Sequence, residues 1–516
     1  AVTLALGAAT AAIQLLREVE TSGLFLWGGG SLLQLGWQQT QAGAALGLAG
    51  LAGALALGRA LDVAALGDST ARALGQRATL TRLLAVGVAA LLAAVAVGVA
   101  GPIAFVGILA AGVARLARPR GHVGMLLVAI PWGAAIVLAA DVLGRLIMGL
   151  DEETPAGVIC AIIGAPVLVI VARHLGDTGA PATDRAASAA RWRPLWSVVA
   201  GLGLAGIALA SLSFGDISVR PGEVLGALFG EGTPLGEIVL DERGPRLCVA
   251  LLAGACLAAS GTVLQAAIRN PFAGPELVGV TGGAGVAAFL VLFILPVTVS
   301  GATLSLAAFG GGLAAMAVVL ALAGARRSSP QRLALIGLAV TAACAAVTTL
   351  MVLRAQPAAA SAITWLAGST YATGWDDLRL LAVPAAILIP VALLCSRRLD
   401  VLMLDDELGG ALGMRVGLTR ALLLAVGAAL AASAVAVAGA IAFVGLLAPH
   451  AARLLAGGNH RRLLPVAMVL GAGLLAAADL VGRMVMPPLE VPSGLVVALI
   501  GAPYLAVLMW RSKAVA

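Results

Sequence analysis

The residues that could carry chemistry are few and widely spaced. His450 follows Pro449 inside an apolar run, where a lone histidine invites a metal or proton-relay reading. The repeat described below replaces that pair by Ala111-Gly112, which favours packing or hydrogen bonding instead. The five cysteines, Cys160, Cys248, Cys256, Cys344 and Cys395, form no CxxC pair and lie mostly in apolar runs. They read as small buried hydrophobes, with neither a disulfide framework nor a metal site expected. Asp141 with Arg145, and Asp479 with Arg483, stand four residues apart and share a helix face. A charge near the bilayer centre costs about 2.5–3.5 kcal/mol on insertion scales, so such a pair should be neutralised or shallow. It reads as an ion pair near the outer interface, as an arginine offered to an external partner, or as both. The only lysine, Lys513, cannot complete a GxxxxGK[ST] phosphate loop, and no such string occurs. The chain is therefore expected not to be an enzyme, with energy drawn from a partner ATPase or an ion gradient.

The elements holding these residues are set by composition. Hydrophobic residues make up 61% and charged residues 11%, and the mean hydropathy is +1.05. Soluble domains carry about 25% charged residues, so this chain cannot clothe a water-soluble globule of its size. Runs such as Leu83 to Val99, Leu422 to Val437 and Leu495 to Trp510 are long enough to cross a membrane. In lipid each backbone amide needs an internal partner, so the runs must be helices; the alternating pattern of a transmembrane barrel is absent. The net charge of +7 could suggest nucleic acid, but the arginines sit in short loops between apolar runs and read as topology signals.

A long internal repeat organises the chain. Ala100-Gly-Pro-Ile-Ala-Phe-Val-Gly107 recurs as Ala438-Gly-Ala-Ile-Ala-Phe-Val-Gly445, and Asp141-Val-Leu-Gly-Arg145 as Asp479-Leu-Val-Gly-Arg483. The same offset maps Trp27 on Trp365, Asp62 on Asp400 and His122 on His460. Residues 1–175 are read as the later part of copy one (about six spans), 176–192 as a polar cytoplasmic linker and 193–516 as a complete copy two. Ala1 falls in mid-pattern, so the fragment is expected to begin inside copy one, without its first four spans. Copy two divides into ten spans centred near about residues 203, 256, 288, 314, 342, 387, 428, 448, 476 and 502. With the N-terminus inside, Arg397-Arg398, Arg415 and His460-Arg461-Arg462 are cytoplasmic; the loops carrying Asp216 to Glu242 and Pro487 to Pro492 are external. The fold class is an all-α polytopic membrane protein with two parallel copies of one ten-helix bundle, the first incomplete.

Two segments recur or stand out between spans. Asp68 through Ala73-Leu74-Gly75 matches Asp405-Asp406-Glu407 through Ala411-Leu412-Gly413. Acids first and glycine last suit a short helix, and a helix at both copies suits docking on a soluble partner. Ser260-Gly-Thr-Val-Leu-Gln265, followed by Arg269-Asn270-Pro271 and Gly279-Val-Thr-Gly-Gly-Ala284, implies only a tight loop in a crowded bundle.

Together these strings resemble the FecCD-type permeases of ATP-binding-cassette importers for iron–siderophores, haem and cobalamin. The matching residues are Arg243-Gly-Pro-Arg246, Ser260-Gly261 through Gln265, Arg269-Asn-Pro271, Gly439 to Gly445 with Pro449-His450, Asn459-His-Arg461, Asp479 with Arg483, and Glu490-Val-Pro-Ser-Gly494 with Gly501-Ala-Pro503. The resemblance covers nearly all of copy two and what is present of copy one, and two copies in one chain look like the fused ferric hydroxamate permease. It implies a path between the copies, two copies of a cytoplasmic ATPase below and an extracytoplasmic siderophore-binding protein above. By it, 62–78 and 400–416 are coupling loops, and Arg145, Arg243, Arg246 and Arg483 meet acids on the binding protein. Ferric siderophore is then the transported substrate. No cofactor is held by this chain, ATP and magnesium residing on the ATPase, and the location is the cytoplasmic membrane. Cobalamin or haem import is the alternative substrate class. An ion-driven secondary transporter is the alternative mechanism, disfavoured by the parallel repeat and the scarcity of midplane acids; a non-transporting scaffold leaves the paired loops unexplained.

Overall fold

The computed structural model describes residues 6–7, 9–10, 13–14, 27–32, 36–148, 155–174, 194–215, 217–294, 300–324, 329–354, 365–404, 406–487 and 489–513. The chain forms two compact units, residues 19–170 and residues 171–516 with 1–18. The proposed linker, 176–192, lies outside the described residues.

The smaller unit holds α1 (Gln38–Ala64), α2 (Asp68–Ala73), α3 (Ala78–Ala100), α4 (Val106–Leu116) and α5 (Gly121–Met148), and most of α6 (Ala156–His174), whose last turn passes the unit boundary. The larger unit holds α7 (Pro194–Ser213), α8 (Pro221–Leu228), α9 (Pro234–Ile268), α10 (Val280–Ile294), α11 (Gly301–Ala323), α12 (Pro330–Arg354), α13 (Trp375–Leu394), α14 (Ser396–Leu402), α15 (Asp406–Ala411), α16 (Val416–Ala438), α17 (Val444–Ala456), α18 (His460–Val485) and α19 (Ser493–Lys513). A 3₁₀ turn, Pro275–Val278, precedes α10. The described residues contain no strand, and one isolated bridge joins Met486 and Leu489.

Among the described residues ten helices are long and apolar enough to cross a membrane, and further short apolar helices include Val280–Phe293 and Val444–Ala456. Each expected centre in copy two falls within a helix. The repeat is also visible in backbone detail. Phe105 and Phe443 both adopt a left-handed conformation, φ 66° and 68°, just ahead of α4 and α17. Gly157 N donates to Gly30 O at 2.9 Å, and Gly494 N donates to Gly368 O at 2.9 Å.

The core of the larger unit is α9, packed on α13, α16, α17 and α18. From Val249 on, most of its side chains are buried. Small residues permit this crowding: a Cβ at Gly261 would collide with the carbonyl of Gly445 on α17.

One expectation is corrected. The external segment before the second span was read as a loop extending to Glu242, but α8 occupies part of it and α9 begins at Pro234. Proline at the first helical position and Thr233 as cap, accepting from Gly236 N at 3.2 Å, start the helix. At 35 residues α9 is about 52 Å long, well beyond the ~30 Å hydrocarbon core. Its charged first turns escape a hydropathy reading because they need not be apolar.

Candidate functional site

Two charged clusters stand at opposite ends of the larger unit's helices. At the end that the arginine bias places outside, Asp479 on α18 is the hub, its side chain 1% exposed. Arg246 Nε donates to Asp479 Oδ1 at 3.0 Å, and its Nη1 and Nη2 grip Glu490 at 3.2 and 2.8 Å. Thr370 also donates to Asp479, and Arg483 Nε lies 3.2 Å from Asp479 Oδ2. Arg483 Nη2 donates to Ser211 O at 3.0 Å and to Ser211 Oγ at 2.7 Å. Arg243, one turn before Arg246, donates to Leu212 O at 3.1 Å and Ile217 O at 2.8 Å. The cluster thus ties α7, α9, α18 and the segments around Thr370 and Glu490 together. Buried charges persist only when paired, as these are; Asp479 Oδ1 and Arg483 Nη2 are hydrogen-bonded, while Asp479 Oδ2 and Arg483 Nε meet as an ion pair without a hydrogen bond.

The two arginines expected to behave alike do not. In the smaller unit Arg145 Nε pairs with Asp141 at 3.0 Å and keeps 51% of its side chain exposed. Arg483 is 6% exposed and turned inward. Of the two readings of the acid–arginine pair, Arg145 retains both and Arg483 is an internal counter-ion. Sequence gives the shared spacing but not the Ser211 carbonyl that captures Arg483.

In each unit the repeated segment forms a six-residue helix, α2 in the smaller and α15 in the larger, where α15 carries the second cluster. Each begins with an acid, Asp68 or Asp406, and each closes on a left-handed glycine, Gly75 (φ 79°) or Gly413 (φ 80°). Gln76 N returns to Ala71 O at 2.9 Å and Met414 N to Gly409 O at 3.0 Å, the double-back bond of a Schellman end. Leu74 and Leu412, which follow Ala73 and Ala411, are 63% and 68% exposed. Glu407 is also exposed, and Asp405 lies outside the described residues. Asp68 pairs with Arg82, and Asp406 pairs with the equivalent Arg420 at 2.7 Å and with Arg269. Burial pushes the Asp406 carboxyl up, but Arg420 and then Arg269 outweigh it and hold it below the ordinary range. The acids expected to face a partner therefore partly face inward. The equal spacing from Asp68 to Arg82 and from Asp406 to Arg420 was the signal that could have revealed this.

A second link fixes the same loops. His122 Nδ1 lies 2.5 Å from Asp62, and His460 Nδ1 lies 2.6 Å from Asp400. Gln265 donates to Gly445 O at 3.0 Å and accepts from Arg453 at 2.6 Å, locking α9 to α17. Asn270 Oδ1 accepts from Phe272 N at 2.9 Å, so Pro271 sits inside an Asx turn. His450 stacks edge-on against Tyr504, 6.0 Å between ring centroids. Among the described residues no group of His, Cys, Asp and Glu could hold a metal ion.

Helices of membrane length and a motif repeated in both units, each with its own capped six-residue helix, are the features of a multi-pass membrane protein. The model of the FecCD transport family matches residues 1–174 and 203–511, and the chain belongs to that family. It is 33% identical over 519 residues to the iron(3+)-hydroxamate import system permease protein FhuB of Salmonella typhimurium, covering 99% of this chain and 74% of the relative. It is 40% identical to the Fe(3+)-citrate import system permease protein YfmE of Bacillus subtilis, across 61% of this chain and 95% of that one. A metal-chelate type ABC transporter solved in an inward-facing conformation superimposes with a TM-score of 0.57 at 31% identity, over 62% of this chain and all of that chain. The protein is thus a non-catalytic, multi-pass permease of the cytoplasmic membrane.

Proposed function

We propose that this permease carries ferric siderophore of the hydroxamate type inward, driven by a separate cytoplasmic ATPase that docks on α2 and α15. The observation that carries the reading is the duplication of one surface. Two capped helices, each with an inward-paired acid and an exposed leucine, match the two copies of an ATPase dimer. The hydroxamate assignment rests on the FhuB relatives, which match nearly the whole chain. ATP and magnesium reside on the partner.

A binding protein delivers the chelate to the outer face. Arg145 is the accessible docking charge of the smaller unit, while Arg246 offers what its own acids leave free. Arg243 and Arg483 shape the rim through their carbonyl contacts. In functional terms 1–175 and 193–516 act as the two halves, joined by 176–192.

The test is ATP-driven uptake of a radio-iron trihydroxamate into proteoliposomes holding the full chain and its ATPase. Leu74→Glu and Leu412→Glu should each abolish ATP-driven uptake. Normal uptake in both variants would remove the docking assignment, and uptake driven by an ion gradient without ATPase would replace the mechanism.

A further inference from the structure

The Arg269-Asn270-Pro271 segment, which as a sequence implies only a tight loop, is where the ATPase-facing helix meets the bundle core. Arg269 closes α9 in a left-handed conformation, φ 52°, and Asn270 N turns back to Gln265 O at 3.1 Å. The bend sends the Arg269 side chain away from the helix axis, toward the start of α15. Its Nε donates to Leu402 O at 2.7 Å, at the end of α14, and its Nη2 pairs with Asp406. Arg420, on α16 and only 3% exposed, reaches the same carboxylate with Nη1 at 3.2 Å and Nη2 at 2.7 Å. Its Nε donates to Ala267 O, in the last turn of α9, at 3.0 Å. One carboxylate at the first residue of α15 is therefore held by two guanidiniums, each also bonded to a main-chain carbonyl of a second element.

The connection continues into the bundle. Four residues before Arg269, Gln265 is bonded to Gly445 and Arg453 of α17. Beyond Arg269 the chain passes through the 3₁₀ turn into α10, and Thr341 of α12 donates to Glu276 O in that turn at 2.7 Å. Displacing α15 thus pulls on the joint from which α10, α12 and α17 are all reached. Planar guanidiniums suit this task because each forms several bonds in fixed directions.

We propose that Arg269, Asp406 and Arg420 form the linkage that transmits movement of α15 to the end of α9 and the 269–279 segment, which makes Arg269 a positioning residue for transport. The inference rests on the reading of α15 as the ATPase-docking helix. The two arginines divide the work. Arg420 keeps α15 on α16 and on Ala267 of α9 when Arg269 is removed, so loss of Arg269 cuts the direct tie from α15 to the 269–279 segment without releasing the docking helix.

The experiment measures ATP hydrolysis and radio-iron trihydroxamate uptake in the same proteoliposomes, with the full chain and its ATPase. Arg269→Ala should leave hydrolysis near the parent rate and lower uptake per ATP about tenfold, an ordinary coupling free energy. In an Asp406→Asn background it should add little more, as expected of residues in one network. Unchanged uptake per ATP in Arg269→Ala, or effects that multiply independently, would overturn the linkage. If Arg269→Ala does not assemble, Arg269→Gln takes its place: uptake per ATP lowered in that variant supports the linkage, and uptake per ATP unchanged overturns it. Leu412→Glu separates the two readings. Uptake surviving that change defeats α15 as the docking helix; uptake abolished by it, with independent effects at Arg269 and Asp406, defeats the linkage alone.

Discussion

His460 Nδ1 lies 2.6 Å from Asp400 Oδ1, and the same carboxylate oxygen accepts the His460 backbone N–H at 3.0 Å. One carboxylate oxygen thus fastens both the ring and the first amide of α18 to the end of α14. The contact recurs between His122 and Asp62, at 2.5 and 2.7 Å. Both copies therefore carry a clamp between the helix just ahead of the short capped helix and the helix that begins at or beside the histidine.

Removing the clamp should loosen the segments carrying α2 and α15 without unfolding the bundle. Asp400→Ala is expected to cost about 1.5–3 kcal/mol, the worth of a hydrogen bond to a charged group, at a site where His460 is buried. The equivalent Asp62→Ala should cost less, because His122 is 43% exposed. Thermal unfolding in detergent, with protease nicking near residues 404 and 66, checks the order.

The outer arginines should separate by burial. Asp479→Ala leaves Arg246 and Arg483 facing each other across a buried site, a loss of about 3–5 kcal/mol. Asp141→Ala removes only a half-exposed arginine's partner and should cost about 0–1 kcal/mol. Melting temperatures of the two variants check this. In docking assays with the binding protein, Arg145→Glu should weaken association in a salt-sensitive way while leaving stability unchanged.

The Asp406 cluster sets a pH dependence of definite sign. The folded carboxyl lies below its ordinary value of 3.8, so its contribution is complete above that range and lost only as pH falls through the lower folded value. The melting difference between the parent and Asp406→Asn should stay constant from about pH 8 to about pH 5 and shrink only in stronger acid.

Close packing of α9 on α17 gives a steric prediction. Gly261→Ala places a methyl against the Gly445 carbonyl, and overpacking of this kind costs about 1–3 kcal/mol. Gly203→Ala, on α7 with open space around its Cα, should be silent. Expression and melting of the pair test the close approach.

Much of this was legible in the residue order. Apolar runs fixed the spans because lipid leaves the backbone no other choice, and the recurring Asp141/Asp479 and Asp68/Asp406 registers exposed the duplication. The short helices α2 and α15 followed from acids before and glycine after. What escaped were contacts between distant segments. Nothing in Arg483's neighbours along the chain announces Ser211, and nothing near Arg269 announces Leu402 and Asp406. The start of α9 escaped for a different reason, since its first turns stand beyond the hydrocarbon and carry Glu237, Asp241 and Glu242.

The claim beneath all of this is that α2 and α15 are equivalent surfaces on one side of the membrane. It is tested by cysteine labelling. With the five native cysteines replaced, single cysteines are placed at Leu74 and at Leu412, and right-side-out and inverted vesicles are exposed to a membrane-impermeant maleimide. Both positions should label only in inverted vesicles, and ATPase bound to those vesicles should protect both. Labelling of the two positions from opposite sides would contradict the parallel repeat and, with it, the importer.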